Sequence, residues 1–253
     1  MHLILTGATG LVGSGVLDAM IKMKDVSKIS ILSRRPVKMA EDAKDPRVNV
    51  ILHKNFEKFD SELLSQLKGA SGCVWALGIS QTQVGPEEYV KITKDYTLAA
   101  SKAFETLGSD EKPFNFVYVS GMGATTQPGR FSAIFARVKG ETELALAEMR
   151  KTHPSFHASS VRPGYVDASS HDAIKPYIPA KLPLLKAAEV FMGIPIKYAM
   201  KSYWSPTQDL GRFLTEMAMG RYKDQLKAKD IQMEGDFPIL ENSAFRRLSG
   251  LSR

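Results

Sequence analysis

The stretch Thr6-Gly7-Ala8-Thr9-Gly10-Leu11-Val12-Gly13 follows a short apolar run and precedes a segment with helical periodicity. Glycine is needed where the backbone turns tightly, where it approaches a ligand closely, and where a helix packs on a strand. The amino end of the following helix presents unpaired N–H groups that attract an anion. This arrangement is typical of a loop that binds the pyrophosphate of a dinucleotide, and its context favours that interpretation over a turn without a ligand.

Short apolar runs alternate with helix-length segments up to residue 162, which predicts parallel strands joined by helices. The runs that read as strands are Leu3–Thr6, Ile29–Leu32, Val48–Leu52, Cys73–Leu77, Phe114–Val119 and Phe156–Val161. Helical patterns cover Leu11–Met23, about Pro86–Leu107 with Gly108 as a stop, and about Phe131–Arg150. The predicted fold class is therefore α/β, with a Rossmann-type doubly wound parallel sheet.

The character of the sequence changes after Arg162-Pro163-Gly164, where prolines break the chain into short pieces around one helical pattern at about Thr207–Met219. We expect residues 1–165 to form a dinucleotide-binding domain. Residues 166–253 should form a small C-terminal lobe that covers the substrate within the same structural unit. The apolar stretch Leu182–Met200 contains charged residues and prolines, which excludes a transmembrane span. Core packing explains this stretch, and contact with a hydrophobic substrate or a membrane surface stays open.

The composition excludes several classes of protein. The chain has 253 residues, a formal net charge of +7 and one cysteine, Cys73. The positive charges are spread along the chain, which argues against a nucleic-acid partner. One cysteine excludes a disulfide framework and a thiolate zinc site and is typical of a reducing compartment, so we expect a cytoplasmic location. The five histidines lack metal-ligand spacing and the first apolar run is too short for a secretory leader, so no metal site or leader is predicted.

The second predicted strand ends in Ser33-Arg34-Arg35, about 20 residues after Gly13. In dinucleotide sites an acidic residue at this distance holds the ribose 2′-hydroxyl of NAD, whereas an arginine accommodates the 2′-phosphate of NADP. The planar fork of a guanidinium group also matches the geometry of a phosphate. The sequence therefore predicts NADP(H) in preference to NAD(H).

Taken in order, these features resemble the short-chain dehydrogenase/reductase superfamily in its atypical or extended branch. Within it, the sequence is similar to the NADP-binding family related to the HIV Tat-interacting protein, over about residues 3–165. In the superfamily a serine after the fifth strand orients a substrate carbonyl, and a lysine binds the nicotinamide ribose and lowers the pKa of a tyrosine. Ser120 and Lys139 match these positions. The resemblance implies a cofactor site made of Gly7, Thr9, Gly10, Leu11, Val12, Gly13, Ser33, Arg34, Arg35, Asn55, Phe56, Leu77, Gly78, Lys139, Pro163 and Gly164.

Two catalytic positions of the superfamily are changed here. The expected Tyr-x-x-x-Lys reads Phe135-Ala136-Arg137-Val138-Lys139, and the asparagine or aspartate position on the preceding helix is Thr93. Phenylalanine has no hydroxyl, so it can neither transfer a proton nor donate a hydrogen bond to a developing alkoxide. Tyr165 is a candidate replacement donor, with packing on the cofactor or in the lobe as its alternative. Ser120, backed by water and Lys139, is a second candidate.

The resemblance implies an NADP-dependent oxidoreductase acting on the carbonyl or alcohol of a hydrophobic small molecule. Loss of a general acid costs about 10²–10⁴-fold in rate, which weakens an enzyme without abolishing its activity. Two alternatives stay open: a redox-inactive regulatory protein that binds the cofactor, and a non-redox isomerase, lyase or cyclase that reuses the pocket. The resemblance is also compatible with a homodimer. His171, in the loop after Gly164, is interpreted as a surface residue or as a further proton donor.

Overall fold

A computed structural model describes residues 1–178 and 200–251, with an eight-stranded sheet at its centre. The strands of this sheet are β1 (His2–Thr6), β2 (Lys28–Ser33), β3 (Val48–Leu52), β4 (Ala70–Trp75), β5 (Phe114–Val119), β6 (Phe156–Arg162), β9 (Gln232–Glu234) and β10 (Phe237–Glu241). Their order is β3-β2-β1-β4-β5-β6-β10-β9, and neighbours pair in parallel except β10 and β9. The predicted doubly wound α/β class is confirmed.

Helices cover both faces of this sheet, because each strand alternates its apolar side chains between two cores. Leu3 and Leu5 point to one core and Ile4 to the other. The first core joins the sheet to α1 (Leu11–Lys22), α2 (Lys38–Ala43), α7 (Thr207–Ala218) and α8 (Asn242–Leu248). The second core joins it to α3 (Ser61–Leu67), α5 (Tyr96–Phe104) and α6 (Ile134–Thr152).

Two helical predictions need correction in detail. The helix expected over about Pro86–Leu107 consists of α4 (Pro86–Val90), a π-helical segment (Lys91–Asp95), α5 and a 3₁₀ turn (Glu105–Leu107), and Gly108 ends it as predicted. α6 begins at Ile134 rather than at Phe131, whose side chain is 95% exposed in the loop before it. β4 also differs, because it spans Ala70–Trp75 and leaves Leu77 in the following loop.

The chain after residue 165 contributes to the central sheet. The sequence pattern indicated no strands there, yet β10 extends the sheet beyond β6, and β7 (Tyr165–Asp167) pairs with β8 (Trp204–Pro206) in a second sheet. These elements escaped notice because three of the four strands after residue 162 have only three residues. α7 lies against α1 so closely that a Cβ at Gly211 would come within 2.2 Å of the Gly15 carbonyl oxygen.

Two expectations for the C-terminal part of the chain stay predictions. The boundary at residue 165 and the substrate-covering role of residues 166–253 are not tested by these contacts. Of the stretch Leu182–Met200, all but Met200 lies outside the described residues. Within the described residues, no helix combines the length and hydropathy needed to cross a bilayer.

Candidate functional site

A cleft of about 410 Å³ opens where β1 and β2 end. β1 pairs with β2 on one side and with β4 on the other, so the order of strands reverses direction here. In doubly wound sheets ligands bind at such a switch point. The cleft is lined by Gly7, Thr9, Leu32, Ser33, Arg34, Arg35, Phe56 and Leu77. All of these except Leu32 belong to the cofactor residues predicted from the sequence.

The glycine loop is held in a tight turn by its own backbone. Gly7 has φ +69°, and a Cβ there would lie 2.2 Å from the carbonyl oxygen of Ala76. A Cβ at Gly13 would lie 2.0 Å from the carbonyl oxygen of Gly7, whereas one at Gly10 would lie 3.3 Å from the same atom. Gly7 and Gly13 are therefore required by the packing of α1 on β1 and β4, and the contact at Gly10 is tight but less severe.

The amino end of α1 faces this loop without a side-chain cap. Gly10 occupies the N-cap position, and Leu11 and Val12 begin the helix. The first N–H groups of a helix have no partner within it, and they carry the positive end of the helix dipole. Ser14 Oγ donates to the Gly10 carbonyl at 2.8 Å and so leaves these N–H groups available. The loop and helix together form an anion-binding corner.

Arg34 and Arg35 supply positive charge at the far wall of the cleft, and both are exposed. Ser33 Oγ donates to the Arg35 carbonyl at 2.7 Å and accepts from the Arg35 N–H at 3.3 Å, which fixes the turn after β2. Arg35 Nη2 donates to Thr9 Oγ1 at 3.4 Å. This bond joins the arginine wall to the glycine loop.

Of the other residues predicted to bind the cofactor, some line the cleft and some do not. Phe56 is fully buried and packs edge-on against Trp75, with ring centroids 6.0 Å apart. The Leu77 N–H donates to Thr6 Oγ1 at 3.2 Å, which holds the loop after β4 at the cleft. Asn55 Oδ1 instead accepts from the Glu57 N–H at 3.1 Å, and neither Asn55 nor Gly78 lines the cleft.

Lys139 and Ser120 meet at the end of β5. Lys139 Nζ donates to the carbonyl oxygen of Ser120 at 2.7 Å and to that of Val119 at 3.3 Å. Burial lowers the pKa of Lys139 to about 8, and the charge of Glu143 one turn later partly offsets this by raising it. Ser120 Oγ is buried and has no hydrogen-bond partner among the described residues. A buried serine hydroxyl without a hydrogen-bond partner can bind a polar group of a ligand.

Phe135 stands one turn before Lys139, with its ring beside Gly123. A Cβ at Gly123 would lie 3.4 Å from Phe135 Cζ. The Phe135 N–H donates to Gln81 Oε1 at 3.2 Å, which connects the start of α6 to the loop after β4. The aromatic ring offers no acid at the position where the superfamily has its phenol.

Thr93 lies in the π-helical segment and is 4% exposed. Its side chain is hydrogen-bonded to Tyr89, whose pKa is raised by burial. π-helical turns within α-helices are frequent at functional sites. No sequence signal marks this segment, because its residues fit an ordinary helix.

Pro163 and Gly164 form the turn between β6 and β7. The Gly164 N–H donates to Ser205 Oγ at 3.0 Å and to Asn242 Oδ1 at 3.1 Å, and Ser205 Oγ donates to the same oxygen of Asn242 at 2.6 Å. Ser205 and Asn242 are positioning residues that sequence reasoning missed, because they come from β8 and α8. Tyr165 is half-buried at the start of β7, opposite Trp204, and its role as a replacement donor stays a prediction.

His171 is not a surface residue. It is 4% exposed, with Nε2 at 3.0 Å from Asp18 Oδ2 and Nδ1 at 2.9 Å from Thr207 Oγ1. It therefore joins α1 to the start of α7, and a structural role replaces the two sequence-based interpretations. Only the packing of α7 on α1 creates this site, so nothing in the local sequence could reveal it. In the described parts of the chain, no group of three or more acidic, histidine or cysteine side chains is placed to hold a metal.

Comparison with known proteins finds relatives over most of the chain, although no family model matches it. Leucinostatins biosynthesis cluster protein T of Purpureocillium lilacinum is 34% identical in an alignment of length 244 that covers 88% of this chain and 87% of that protein. Botcinic acid biosynthesis cluster B protein 16 of Botryotinia fuckeliana is 44% identical over 156 residues, 61% of this chain and 99% of that protein. Protein fmp52, mitochondrial, of Emericella nidulans is 29% identical over 56% of this chain and 58% of that protein.

Solved structures share the fold at low identity. DesIV (dTDP-glucose 4,6-dehydratase) from Streptomyces venezuelae, with NAD bound, has a TM-score of 0.62 at 16% identity and covers 99% of this chain and 80% of its own. The YIR035C short-chain dehydrogenase/reductase from Saccharomyces cerevisiae has a TM-score of 0.61 at 12% identity and covers 95% of both chains. These matches show that the described part of this chain shares their fold.

Proposed function

The chain belongs to one family with leucinostatins biosynthesis cluster protein T, and from that premise we propose that it is an NADP(H)-dependent oxidoreductase of the atypical short-chain dehydrogenase/reductase type. Its substrate is the carbonyl or alcohol group of a hydrophobic small molecule. The observation that carries the proposal is the cleft in which the glycine loop, the open end of α1 and two arginines lie together. The names of two relatives place those proteins in biosynthesis clusters, which supports a small organic substrate.

The residues of the cleft fit an NADP(H) molecule. The amino end of α1 and the loop around Gly10 would hold the pyrophosphate, since both present backbone N–H groups to an anion. Arg34 and Arg35 would hold the 2′-phosphate, because guanidinium groups bind phosphate with two parallel hydrogen bonds. No carboxylate lines this wall among the described residues, so the ribose 2′-hydroxyl of NAD(H) has no acidic acceptor there.

Bound NADPH supplies a hydride, and the protein must supply orientation and a proton. Ser120 Oγ, unpaired and buried, would donate a hydrogen bond to the substrate oxygen. Lys139 keeps its proton at neutral pH, since its pKa is about 8, and its two backbone acceptors hold Nζ beside Ser120. A proton from Ser120 Oγ, replaced through water from Lys139, or a proton from Tyr165 would then substitute for that of the missing phenol.

The redox-inactive alternative is favoured by one observation, the Phe135 ring at the position of the phenol. A protein with this ring still holds a dinucleotide, because neither the cleft nor Lys139 depends on a hydroxyl at residue 135. Cofactor binding with no turnover of any carbonyl or alcohol would support this alternative, or a non-redox enzyme that reuses the pocket. For the oxidoreductase we retain a cytoplasmic location and a homodimer as parts of the proposal.

Calorimetric titration with NADPH and NADH tests the proposal. We expect the protein to bind NADPH at least about tenfold more tightly, since charge-assisted hydrogen bonds to the 2′-phosphate are absent with NADH. Arg34→Ala and Arg35→Ala should reduce this preference, while Arg221→Ala, which removes an exposed arginine outside the cleft, should not. Equal affinities for the two cofactors, or a preference that survives both substitutions, would contradict the assignment.

A further inference from the structure

A second cavity lies at the opposite end of the parallel strands from the cofactor cleft, where β5 and β6 begin. Its volume is about 150 Å³, and Asn115 of β5 and His157 of β6 line it. Ser120 follows the other end of β5, so the two sites are separated by the length of that strand, roughly 16 Å. None of the described residues that line this cavity also lines the cofactor cleft.

The wall of this cavity is basic. Arg150, Lys223 and Lys227 line it, and Asp236 is the one carboxylate among its described lining residues. Arg150 Nη1 donates to the Ala158 carbonyl at 2.6 Å. Within the described residues no carboxylate lies at ion-pair distance from the Arg150 guanidinium, and burial lowers its pKa while Asp236 acts only from farther away. A cation withdrawn from water without a paired carboxylate is stabilised when an anion binds beside it.

The position of Arg150 follows from the way the sheet is built. β10 pairs with β6 only from Ser160 onward, where Ile239 lies opposite Ser160. The first half of β6 therefore lacks a strand partner on the side of β10, and the backbone groups that face this side form no ladder with β10. Arg150 reaches from the last turn of α6 into this gap and binds the open carbonyl of Ala158. The backbone thus holds the guanidinium at the cavity.

Part of the wall is apolar. Met217 of α7, Leu226 and Met233 of β9 line the cavity beside the cationic groups. A bare inorganic ion would leave this apolar surface uncovered, whereas a short hydrocarbon chain would bury it. The volume is below that of pockets that hold drug-sized ligands, which points to a small molecule.

We propose that this cavity binds a small carboxylate with a short apolar chain. The carboxylate lies against Arg150, Lys223 and Lys227, and the chain packs on Met217, Leu226 and Met233. His157 lines the cavity beside these groups, and its ring is hydrogen-bonded to the Pro154 backbone, so its signals report on a ligand bound there. This site is independent of the oxidoreductase proposal, since it shares no described residue with the cleft.

The test follows the ring signals of His157 by NMR, assigned with His157→Gln, during titration at constant ionic strength. The probes are sodium hexanoate, 1-hexanol and inorganic phosphate. We expect hexanoate to shift the His157 signals in a saturable manner, with weaker effects from the other two probes. The double substitution Lys223→Ala, Lys227→Ala should weaken hexanoate at least about tenfold, because it removes two charged partners.

The matched control is Lys151→Ala, Lys229→Ala, which removes two exposed lysines that do not line the cavity. Its affinity for hexanoate should stay within about twofold of the unchanged protein. The proposal is overturned if hexanoate does not shift His157, if the control weakens binding as much as the cavity substitutions, or if hexanol or phosphate binds as tightly. Since Lys223 and Lys227 are exposed, their substitution leaves the fold intact, and the test needs no variant of the partly buried Arg150.

Discussion

The substitution Glu143→Gln tests the electrostatic link between α6 and β6. Glu143 is fully buried, and its carboxylate accepts from Arg162 Nε at 3.0 Å, Arg162 Nη2 at 2.5 Å and Ser160 Oγ at 2.7 Å. Removing one partner of a buried ion pair costs about 3–5 kcal/mol, because the other charge stays buried without compensation. Arg162 keeps a second carboxylate, Glu241, at 2.7 Å, so we place the cost near the lower end, about 3 kcal/mol.

Thermal unfolding followed by circular dichroism at pH 7 measures this cost. In a domain of this length 1 kcal/mol corresponds to about 2–4 °C, so Tm should fall by about 6–12 °C. Glu148→Gln is the matched control: Glu148 lies on the same helix, is exposed, and pairs with Lys151 at 3.5 Å. Such a surface pair contributes at most about 1 kcal/mol. If Tm for Glu143→Gln stays as close to that of the unchanged protein as the control does, the ion pair does not carry the stability assigned to it.

Three further predictions concern the site itself. Gly13→Ala should lower Tm more than Gly10→Ala does, because its Cβ would lie 2.0 Å from the Gly7 carbonyl oxygen, whereas that of Gly10→Ala would lie 3.3 Å from the same atom. An equal or smaller loss of Tm for Gly13→Ala would contradict this. Phe135→Tyr should raise NADPH-dependent reduction of a carbonyl panel at least ~10-fold, and no activity in either protein would count against an oxidoreductase. NMR of isotope-labelled lysines should show one amino group that titrates at about pH 8 and is absent in Lys139→Met. In Glu143→Gln this titration should shift to lower pH, since the Glu143 charge raises the pKa of Lys139. A titration unmoved by Glu143→Gln would refute this coupling.

Periodicity predicted the first six strands because each is an apolar run of five to seven residues between helices. The alternation of Leu3, Ile4 and Leu5 between two cores leaves little choice of fold once parallel strands are assumed. The strands after residue 162 could not be found in this way. β9 has three residues and is partly polar, and β10 contains Pro238, so β10 depends on β6 as its partner and β9 depends on β10.

The cofactor cleft was predictable because the glycine loop and the arginines are sequence motifs with fixed positions in the fold. The Gly164 turn and His171 were not, since their partners Asn242 and Thr207 are distant in the sequence. The basic cavity around Arg150 also depends on tertiary structure, because its lysines come from the chain after α7. Sequence motifs thus located one candidate site, and the paths of the later strands were needed to find the rest.

The late position of α7 in the chain has a consequence for synthesis. α7 covers side chains of the first core, among them Val117 of β5 and Val161 of β6, which leave the ribosome well before it. At about 5–20 residues per second, roughly 3–11 s pass between the completion of β6 and that of α7. During this interval the nascent chain presents an apolar sheet face to its surroundings, so its yield should depend on chaperones that bind such faces. A product that ends before Thr207 would keep that face uncovered and should aggregate.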